Sequence, residues 1–182
     1  KYFRSLYAER NGTMKARNYR EVKGMPYTRS KYIHGVPPSK IMKFTMGETS
    51  SSYAYQLSLL SEKRIQVRHN ALEAARVAVN RHLQEKLGNS FFMRVLLLPH
   101  IVLRENKMIF GAHADRLQDG MQKAFGKPVG RAARVEPNQP VIIVQVNEGG
   151  VEVAKEALRR GEAKLPTPCR IVIEKITSQV SR

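Results

Sequence analysis

The chain has 182 residues, and its 32 Lys and Arg against 15 Asp and Glu give a formal net charge of +17. Hydrophobic residues make up 42% of it, and its longest apolar run, 95–103, is far shorter than the roughly 20 residues that span a bilayer. These figures argue against global disorder and against a membrane protein, and they predict one core, with or without an arm, that binds a polyanion.

The positive charge is unevenly distributed along the chain. Residues 1–43 hold eleven Lys and Arg against two Glu, residues 94–134 hold eight against three acidic residues, and residues 135–182 hold seven against six. Seven tyrosines, at positions 2, 7, 19, 27, 32, 53 and 55, offer stacking surfaces for bases. Most of them lie among the N-terminal cations. A solvated basic tail is the alternative, but the segregation favours a nucleic-acid-binding face built from the N-terminal arm and the central segment.

The first elements in chain order are an extended arm and short strands. Residues 1–39 lack periodicity, and the paired Pro37 and Pro38 oppose a helix, so an extended basic arm is expected. Residues 40–46 are predicted as a short strand closed by Gly47. Tyr55–Ser61 is predicted as a second strand, and Ile65–Arg68 continues the extended pattern.

A helix over 70–87 is the clearest predicted element. Asn70 is placed as its cap, with Glu73 completing a capping-box spacing, and Gly88 supplies the stop. An apolar stripe is expected to face the core and is formed by Leu72, Ala75, Val79, Leu83 and Leu87.

The second half is predicted to be mostly strands. A buried strand is expected over 91–98, and two shorter strands over 101–103 and 107–110. Three further strands are predicted over 131–135, 141–146 and 170–176. A second helix is predicted over 150–160 and ended by Gly161, with a Glu156 to Arg160 pair. The fold class is therefore α+β: a mixed, mostly antiparallel sheet with two helices packed on it. The arm spans 1–39, and a single RNA-binding domain spans 40–182 with a long functional loop at about 111–128.

No residue pattern in the sequence supports catalysis, a metal site or a cofactor. The five histidines are isolated, no C-x-x-C or H-E-x-x-H occurs, and 120–127 lacks the spacing and the Ser or Thr of a phosphate loop. The single cysteine, Cys169, excludes an internal disulfide, fits a reducing cytosol and is expected to be structural. No apolar signal segment opens the chain, so a cytoplasmic location is expected.

The stretch 103–135 is the most informative part of the sequence. Glycines at 111, 120, 126 and 130 punctuate a long loop with few apolar anchors, and long loops in compact domains are commonly functional. Glycine permits close backbone approach to a ligand. Cations that can meet phosphates lie within it, at Arg116, Lys123, Lys127, Arg131 and Arg134.

Several motifs in a fixed order carry a family resemblance. They are Pro-Tyr-Thr-Arg at 26–29, Arg-His-Asn-Ala-Leu-Glu-Ala-Ala-Arg at 68–76, Gly-Ala-His-Ala-Asp-Arg-Leu-Gln-Asp-Gly-Met at 111–121, Ala-Phe-Gly-Lys-Pro-Val-Gly at 124–130 and Lys-Leu-Pro at 164–166. With the neighbouring residues they run from about Met14 to Ile173. In this order the chain resembles the universal large-subunit ribosomal protein of the L-sixteen family, in its archaeal and eukaryotic form, L-ten-e.

The resemblance implies an α/β-hammerhead-like fold and a structural, non-enzymatic role in the large ribosomal subunit. The implied partners are large-subunit rRNA near the aminoacyl-tRNA site and the tRNA acceptor arm, with 5S rRNA and neighbouring ribosomal proteins as further candidates. No membrane and no homo-oligomer are expected. The residues expected to bind rRNA are Arg17, Arg20, Tyr27, Arg29, Lys31, Lys40, Arg68, His69, Asn70, Arg76, Arg81, Arg104, Lys107, Lys127 and Arg131.

The resemblance also implies that the central loop points toward the peptidyl-transferase centre and tRNA. Its residues are Gly111, Ala112, His113, Ala114, Asp115, Arg116, Leu117, Gln118, Asp119, Gly120, Met121 and Lys123. The family generally has glycine where His113 stands, which predicts a stiffer loop tip or a different RNA contact. Residues 1–13 precede the family's usual beginning at Met14 and are either an extension or an upstream start of the gene model.

Two alternatives come from other functional classes. The first is an RNA-modifying enzyme with its active site in the 111–130 loop, where Asp115 and Asp119 would be the acid and base. The second is an architectural protein that coats DNA. Turnover on RNA would support the first, and equal affinity for duplex DNA and structured rRNA would support the second.

Overall fold

A computed structural model describes residues 16–49, 52–106, 121 and 125–176. In chain order the strands and helices are β1 (Thr45–Gly47), β2 (Tyr55–Ser61), β3 (Ile65–Arg68), α1 (His69–Leu87), β4 (Phe92–Val95), β5 (Ile101–Glu105), β6 (Lys127–Val135), β7 (Pro140–Val146), α2 (Val151–Glu162) and β8 (Cys169–Lys175). Short 3₁₀ turns occur at Ala16–Tyr19, Ser30–Tyr32 and Glu148–Gly150. The α+β class and the antiparallel pairing are confirmed.

Within the described ranges the strands form two sheets, where the sequence predicted one. The five-stranded sheet has the order β1-β4-β7-β2-β8, and the three-stranded sheet has the order β3-β6-β5. All the pairings are antiparallel, with Leu57 opposite Val144 in the first sheet and Val67 opposite Ala133 in the second. Separate sheets form because β3 pairs with β6 rather than with its chain neighbour β2.

Helix α1 matches the predicted stripe but not the predicted cap. Leu72, Ala75, Val79 and Leu83 are fully buried or nearly so. The helix begins at His69, so Asn70 lies inside its first turn, and no side chain caps it. Glu73 pairs with Arg76 instead of reaching back to form a capping box. Gly88 ends the helix as predicted, with φ of +60°.

Helix α2 runs past the residue that was expected to end it. It extends to Glu162, and Gly161 lies within it rather than after it. A Cβ on Gly161 would stand 2.5 Å from Val79 Cγ2 of α1. The glycine is therefore needed for the close packing of the two helices, not for a stop. The predicted Glu156 to Arg160 pair is confirmed at 2.6 Å.

The predicted buried strand over 91–98 is shorter than expected, since β4 covers only Phe92–Val95, and the segment is buried on one side only. Phe91, Met93, Val95 and Leu97 are buried, whereas Leu98 is 62% exposed. This period of two is typical of an antiparallel strand with one face toward solvent. The predicted strand over 40–46 is also shorter than expected, since regular pairing with β4 starts only at Thr45.

The main core lies between the five-stranded sheet and the two helices. It brings together alternate residues of β2, β4 and β7 with the buried stripes of α1 and α2, and it includes Leu57, Phe91, Ile142, Val144 and Leu158. The three-stranded sheet buries Ile101, Val102 and Leu103 as well. In the described ranges, no helix is both long and apolar enough to cross a membrane.

Candidate nucleic-acid interface

The described part of the arm is attached to the three-stranded sheet by backbone hydrogen bonds. Gln66 of β3 donates its N–H to the Arg20 carbonyl at 2.8 Å and its side-chain Nε2 to the Tyr19 carbonyl at 3.0 Å. Val102 of β5 donates to the Tyr27 carbonyl at 2.9 Å. Tyr19 donates its hydroxyl to the Arg104 carbonyl at 3.1 Å, and burial, reinforced by Glu105, raises the pKa of Tyr19 to about 12. The arm is thus built onto the sheet at both edge strands.

Arginines of the three-stranded sheet also hold the same segment through their side chains. Arg134 of β6 donates to the Gly24 and Lys23 carbonyls at 2.9 and 3.1 Å. Arg131 Nε donates to the Pro37 carbonyl at 3.0 Å. The Arg104 guanidinium lies 4.4 Å from the centroid of the Tyr27 ring. Three predicted rRNA-binding residues, Tyr27, Arg104 and Arg131, therefore make contacts within the protein that shape the arm.

His69 is likewise engaged in an internal contact. The Lys40 backbone N–H donates to His69 Nδ1 at 3.2 Å, which requires a lone pair on that nitrogen. Burial lowers the pKa of His69, and the nearby charges of Lys40, Arg68 and Arg131 lower it further. The neutral ring is an acceptor for the arm and lies near three cations.

Arg76 and Arg81 lie on the same helix but have different roles. Arg76 pairs with Glu73 at 2.5 Å, contacts Met46 Sδ at 3.0 Å and is half-buried, and the hydrogen bond to Glu73 raises its pKa. Arg81 is exposed and forms no ion pair with any residue that the structure describes. Only Arg81 is therefore free to meet a phosphate.

The remaining predicted arm and helix residues are accessible. These residues are Arg17, Arg20, Arg29, Lys31, Lys40, Arg68, Asn70 and Lys127. All of them are exposed except Arg68, which is half-buried. None of the cations among them forms an ion pair within the described ranges. Lys31 lies 5.9 Å from the centroid of the Tyr32 ring. Unpaired exposed cations interleaved with aromatic rings can bind a nucleic-acid backbone and stack on its bases.

Both ends of the central loop leave the three-stranded sheet at one point. In the strand register Glu105 of β5 lies opposite Lys127 of β6. Arg104 Nη1 donates to the Phe125 carbonyl. Gly126 has φ of +90°, and a Cβ there would stand 2.6 Å from Met121 Sδ. The loop predicted to end at 128 ends earlier, because β6 begins at Lys127. Met121 is exposed. Lys107, Lys123 and the predicted loop residues 111–120 lie outside the described residues.

Cys169 and the acidic residues that the structure describes give no sign of a reactive site. Cys169 is half-buried, and burial, with Glu162 and Glu62, raises the pKa of its thiol to about 11. Within the described ranges, no group of His, Cys, Asp and Glu is placed to hold a metal ion. Asp115 and Asp119 are not among the described residues.

Sequence reasoning missed two residues of this surface. Gln66 anchors the arm through its backbone and side chain, and a lone glutamine in a strand gives no signal of that role. Lys164 follows α2 and lines the same cationic face as Arg20, Arg68 and Arg81. It lies in the Lys-Leu-Pro motif at 164–166, which was a usable signal.

Comparisons with known proteins agree on one family. Residues 22–172 match the model described as ribosomal protein L16p/L10e. The chain is similar to the large ribosomal subunit protein uL16 of Hyperthermus butylicus, with 58% identity over 149 residues that cover 81% of this chain and 83% of that protein. The uL16 of Staphylothermus marinus is 53% identical over 160 residues, covering 87% and 92%, and that of Methanosphaerula palustris is 49% identical over 159 residues, covering 87% and 92%.

Proposed function

This chain belongs to the ribosomal protein L16p/L10e family, and from that premise we propose that it binds large-subunit rRNA near the aminoacyl-tRNA site. In this proposal its central loop is directed toward the tRNA acceptor end and the peptidyl-transferase centre. The coarser role follows from the family: the protein is a non-enzymatic structural constituent of the large subunit and takes part in translation on the cytoplasmic ribosome. Its partners are accordingly rRNA and other ribosomal proteins, and the enzyme and DNA-coating alternatives are set aside.

The observation that carries the rRNA-binding part is the arrangement of the arm cations. Hydrogen bonds from Gln66, Arg131 and Arg134 attach the arm to the sheet, and this leaves Arg17, Arg20 and Lys40 exposed without ion pairs among the described residues. An arm that is already ordered loses less conformational entropy on binding. Lysines and arginines that meet phosphates release counterions, which contributes a large share of the affinity for nucleic acid. The division into an arm, 1–39, and a domain, 40–182, is part of the same proposal.

The loop part of the proposal is supported by the geometry at its base. In the strand register Glu105 lies opposite Lys127, which brings the two ends of the loop together on the three-stranded sheet. A loop anchored in this way can project a contact away from the folded core. Within it, we assign the tRNA-proximal role to residues 111–121 and Lys123. We include 5S rRNA and the tRNA acceptor arm among the proposed partners.

A reconstitution experiment tests where the loop acts. Large subunits stripped of this protein with high salt are rebuilt with the full chain or with a chain lacking 112–120. We expect both chains to rejoin the subunit, and only the full chain to restore aminoacyl-tRNA binding and peptide-bond formation. Full activity with the deletion would contradict the proposal. Thermal melting of the deletion variant is the control, because a melted core would show the segment to be structural.

A further inference from the structure

Three shallow hollows on the face of α1 meet at one residue. The first, of about 250 Å³, is lined by Arg20, Arg68 and Lys164 among others. The second, of about 470 Å³, is lined by Arg81 and Lys164 together with His82, Glu85 and Arg160. The third, of about 520 Å³, includes Lys40, Asn70, Arg81 and Lys164. Because Lys164 borders all three, they form one groove with this lysine at the junction.

Building on the proposed function, we propose that this groove holds the sugar–phosphate backbone of an rRNA strand and that Lys164 is its central phosphate contact. Six cations line the groove, and Arg160 is paired with Glu156. The other five form no ion pair within the described ranges: Arg20, Lys40, Arg68, Arg81 and Lys164. The acidic residues compensate little of this charge, because Glu73 is held by Arg76 at 2.5 Å. Glu85 is the remaining carboxylate on the lining.

The floor of the groove allows a strand to approach closely. It is formed by small side chains of α1 and of the segment after α2, at Ala71, Ala74, Ala78 and Ala163. The first turn of α1 also contributes, since no side chain caps it and its N–H groups favour anions. Both features favour a sugar–phosphate backbone as the ligand. Its negative charges are regularly spaced, and its sugars are narrow enough to lie close to small side chains.

A second observation is a buried polar side chain beside the groove. His82 is 3% exposed and borders the second hollow, yet neither of its ring nitrogens has a hydrogen-bond partner among the described residues. Its Nε2 lies 3.4 Å from Glu156 Oε2, which also pairs with Arg160. A small-molecule pocket is usually enclosed and mostly apolar, whereas this groove is open and cationic. The open, cationic lining therefore favours RNA over a metabolite.

Binding of the full chain to large-subunit rRNA over a salt series tests the proposal. For Lys164→Ala we expect the slope of log affinity against log salt to flatten by about 0.7–0.9, the value of one lost phosphate contact. The affinity difference from the wild type therefore shrinks about threefold between 50 and 200 mM salt. Lys164→Arg keeps the charge and should restore the slope. Lys175→Ala, at an exposed lysine at the end of β8, removes the same charge and should change little.

Chemical protection gives an independent measurement. When the rRNA complex is treated with an amine-acetylating reagent, Lys164 and Lys40 should be protected, whereas Lys63 and Lys175 should stay reactive. Equal acetylation of Lys164 with and without rRNA, or an unchanged slope in Lys164→Ala with a wild-type melting temperature, would overturn the proposal. An unchanged slope in Lys164→Ala would instead favour an acidic protein segment as the ligand of the groove. If the wild-type chain itself bound rRNA without salt dependence, the proposed function would fail as well.

Discussion

The Arg104 guanidinium and the Tyr27 ring form the contact that most directly joins the arm to the base of the central loop. The guanidinium lies 4.4 Å from the ring centroid, and its Nη1 also donates to the Phe125 carbonyl at the end of the loop. One side chain thus touches both segments that are proposed to meet RNA. Cation–π pairs contribute about 0.5–2 kcal/mol, with the larger values where water is excluded.

Removing this ring should loosen the arm without unfolding the core. For Tyr27→Ala we expect trypsin to cleave after Lys23 about 5–30 times faster, which corresponds to a local opening made easier by 1–2 kcal/mol. Tyr32→Ala is the matched control, because that ring is 68% exposed. Equal cleavage rates in the two variants would contradict the assigned role of Tyr27.

His69 makes the arm contact sensitive to acid. Its folded-state pKa lies below the ordinary value of 6.5, so near that pH the unfolded chain binds more protons than the folded one. The free energy of unfolding should therefore fall as the pH drops from about 7.5 through 6.5 and the folded-state pKa, and protonation should break the bond from the Lys40 N–H.

Urea unfolding at pH 7.5 and 5.5 measures this effect. His69→Asn carries no titrating ring, so it should lose less stability on acidification than the wild type, whereas His34→Asn, at an exposed site, should behave like the wild type. Proton NMR titration of the His69 ring is the direct check. A pKa at or above 6.5, or an equal loss of stability in His69→Asn, would refute the account.

At the scale of elements, helix α1 packs closely against α2 because Gly161 has no side chain. Val79 Cγ2 would stand 2.5 Å from a Cβ at position 161. Alanine normally stabilises a helix by about 1 kcal/mol relative to glycine. Overpacking typically costs 1–3 kcal/mol, so the clash should prevail.

Gly161→Ala should therefore lower the melting temperature although it improves helix propensity. Gly149→Ala is the control, because a Cβ there meets nothing within 4 Å. Adding Val79→Ala to Gly161→Ala should recover part of the loss relative to the two single changes, which a double-mutant cycle measures. A Gly161→Ala chain that is more stable than the wild type would show that the helices shift apart easily.

The sequence predicts elements well where local periodicity decides them. The stripe from Leu72 to Leu83, the stop at Gly88 and the strand Tyr55–Ser61 all follow from spacing and turn chemistry. Gly161 was misassigned because a glycine that ends a helix and one that lets two helices touch look alike in one dimension. The exposed side of 91–98 was misassigned for a similar reason, since leucines at 96, 97 and 98 conceal the period of two.

At the scale of the whole molecule, charge and motifs predict the class of partner but not the task of each cation. From the sequence, the same rRNA-binding role is predicted for Arg17, Arg76, Arg104 and Arg131. The structure separates them, because Arg76 is paired with Glu73 whereas Arg104 and Arg131 hold the arm. That separation depends on contacts between residues far apart in the chain, such as Arg131 with Pro37. A single sequence does not contain that distance information.

The central claim is that unpaired cations on the arm and on α1 bind the RNA, while the other arginines maintain the shape of the surface. Both groups contribute to the +17 charge, so net charge alone does not distinguish them. The claim therefore concerns position, and a comparison of variants with equal charge tests it.

The most direct measurement is the salt dependence of rRNA binding in two fourfold alanine variants. One replaces Arg17, Arg20, Lys40 and Arg81, and the control replaces four other exposed cations, Lys63, Lys86, Arg94 and Lys175. We predict that the first variant flattens the slope of log affinity against log salt by about 3, and that the control changes it by less than about 1. Equal slopes in the two variants would contradict the account.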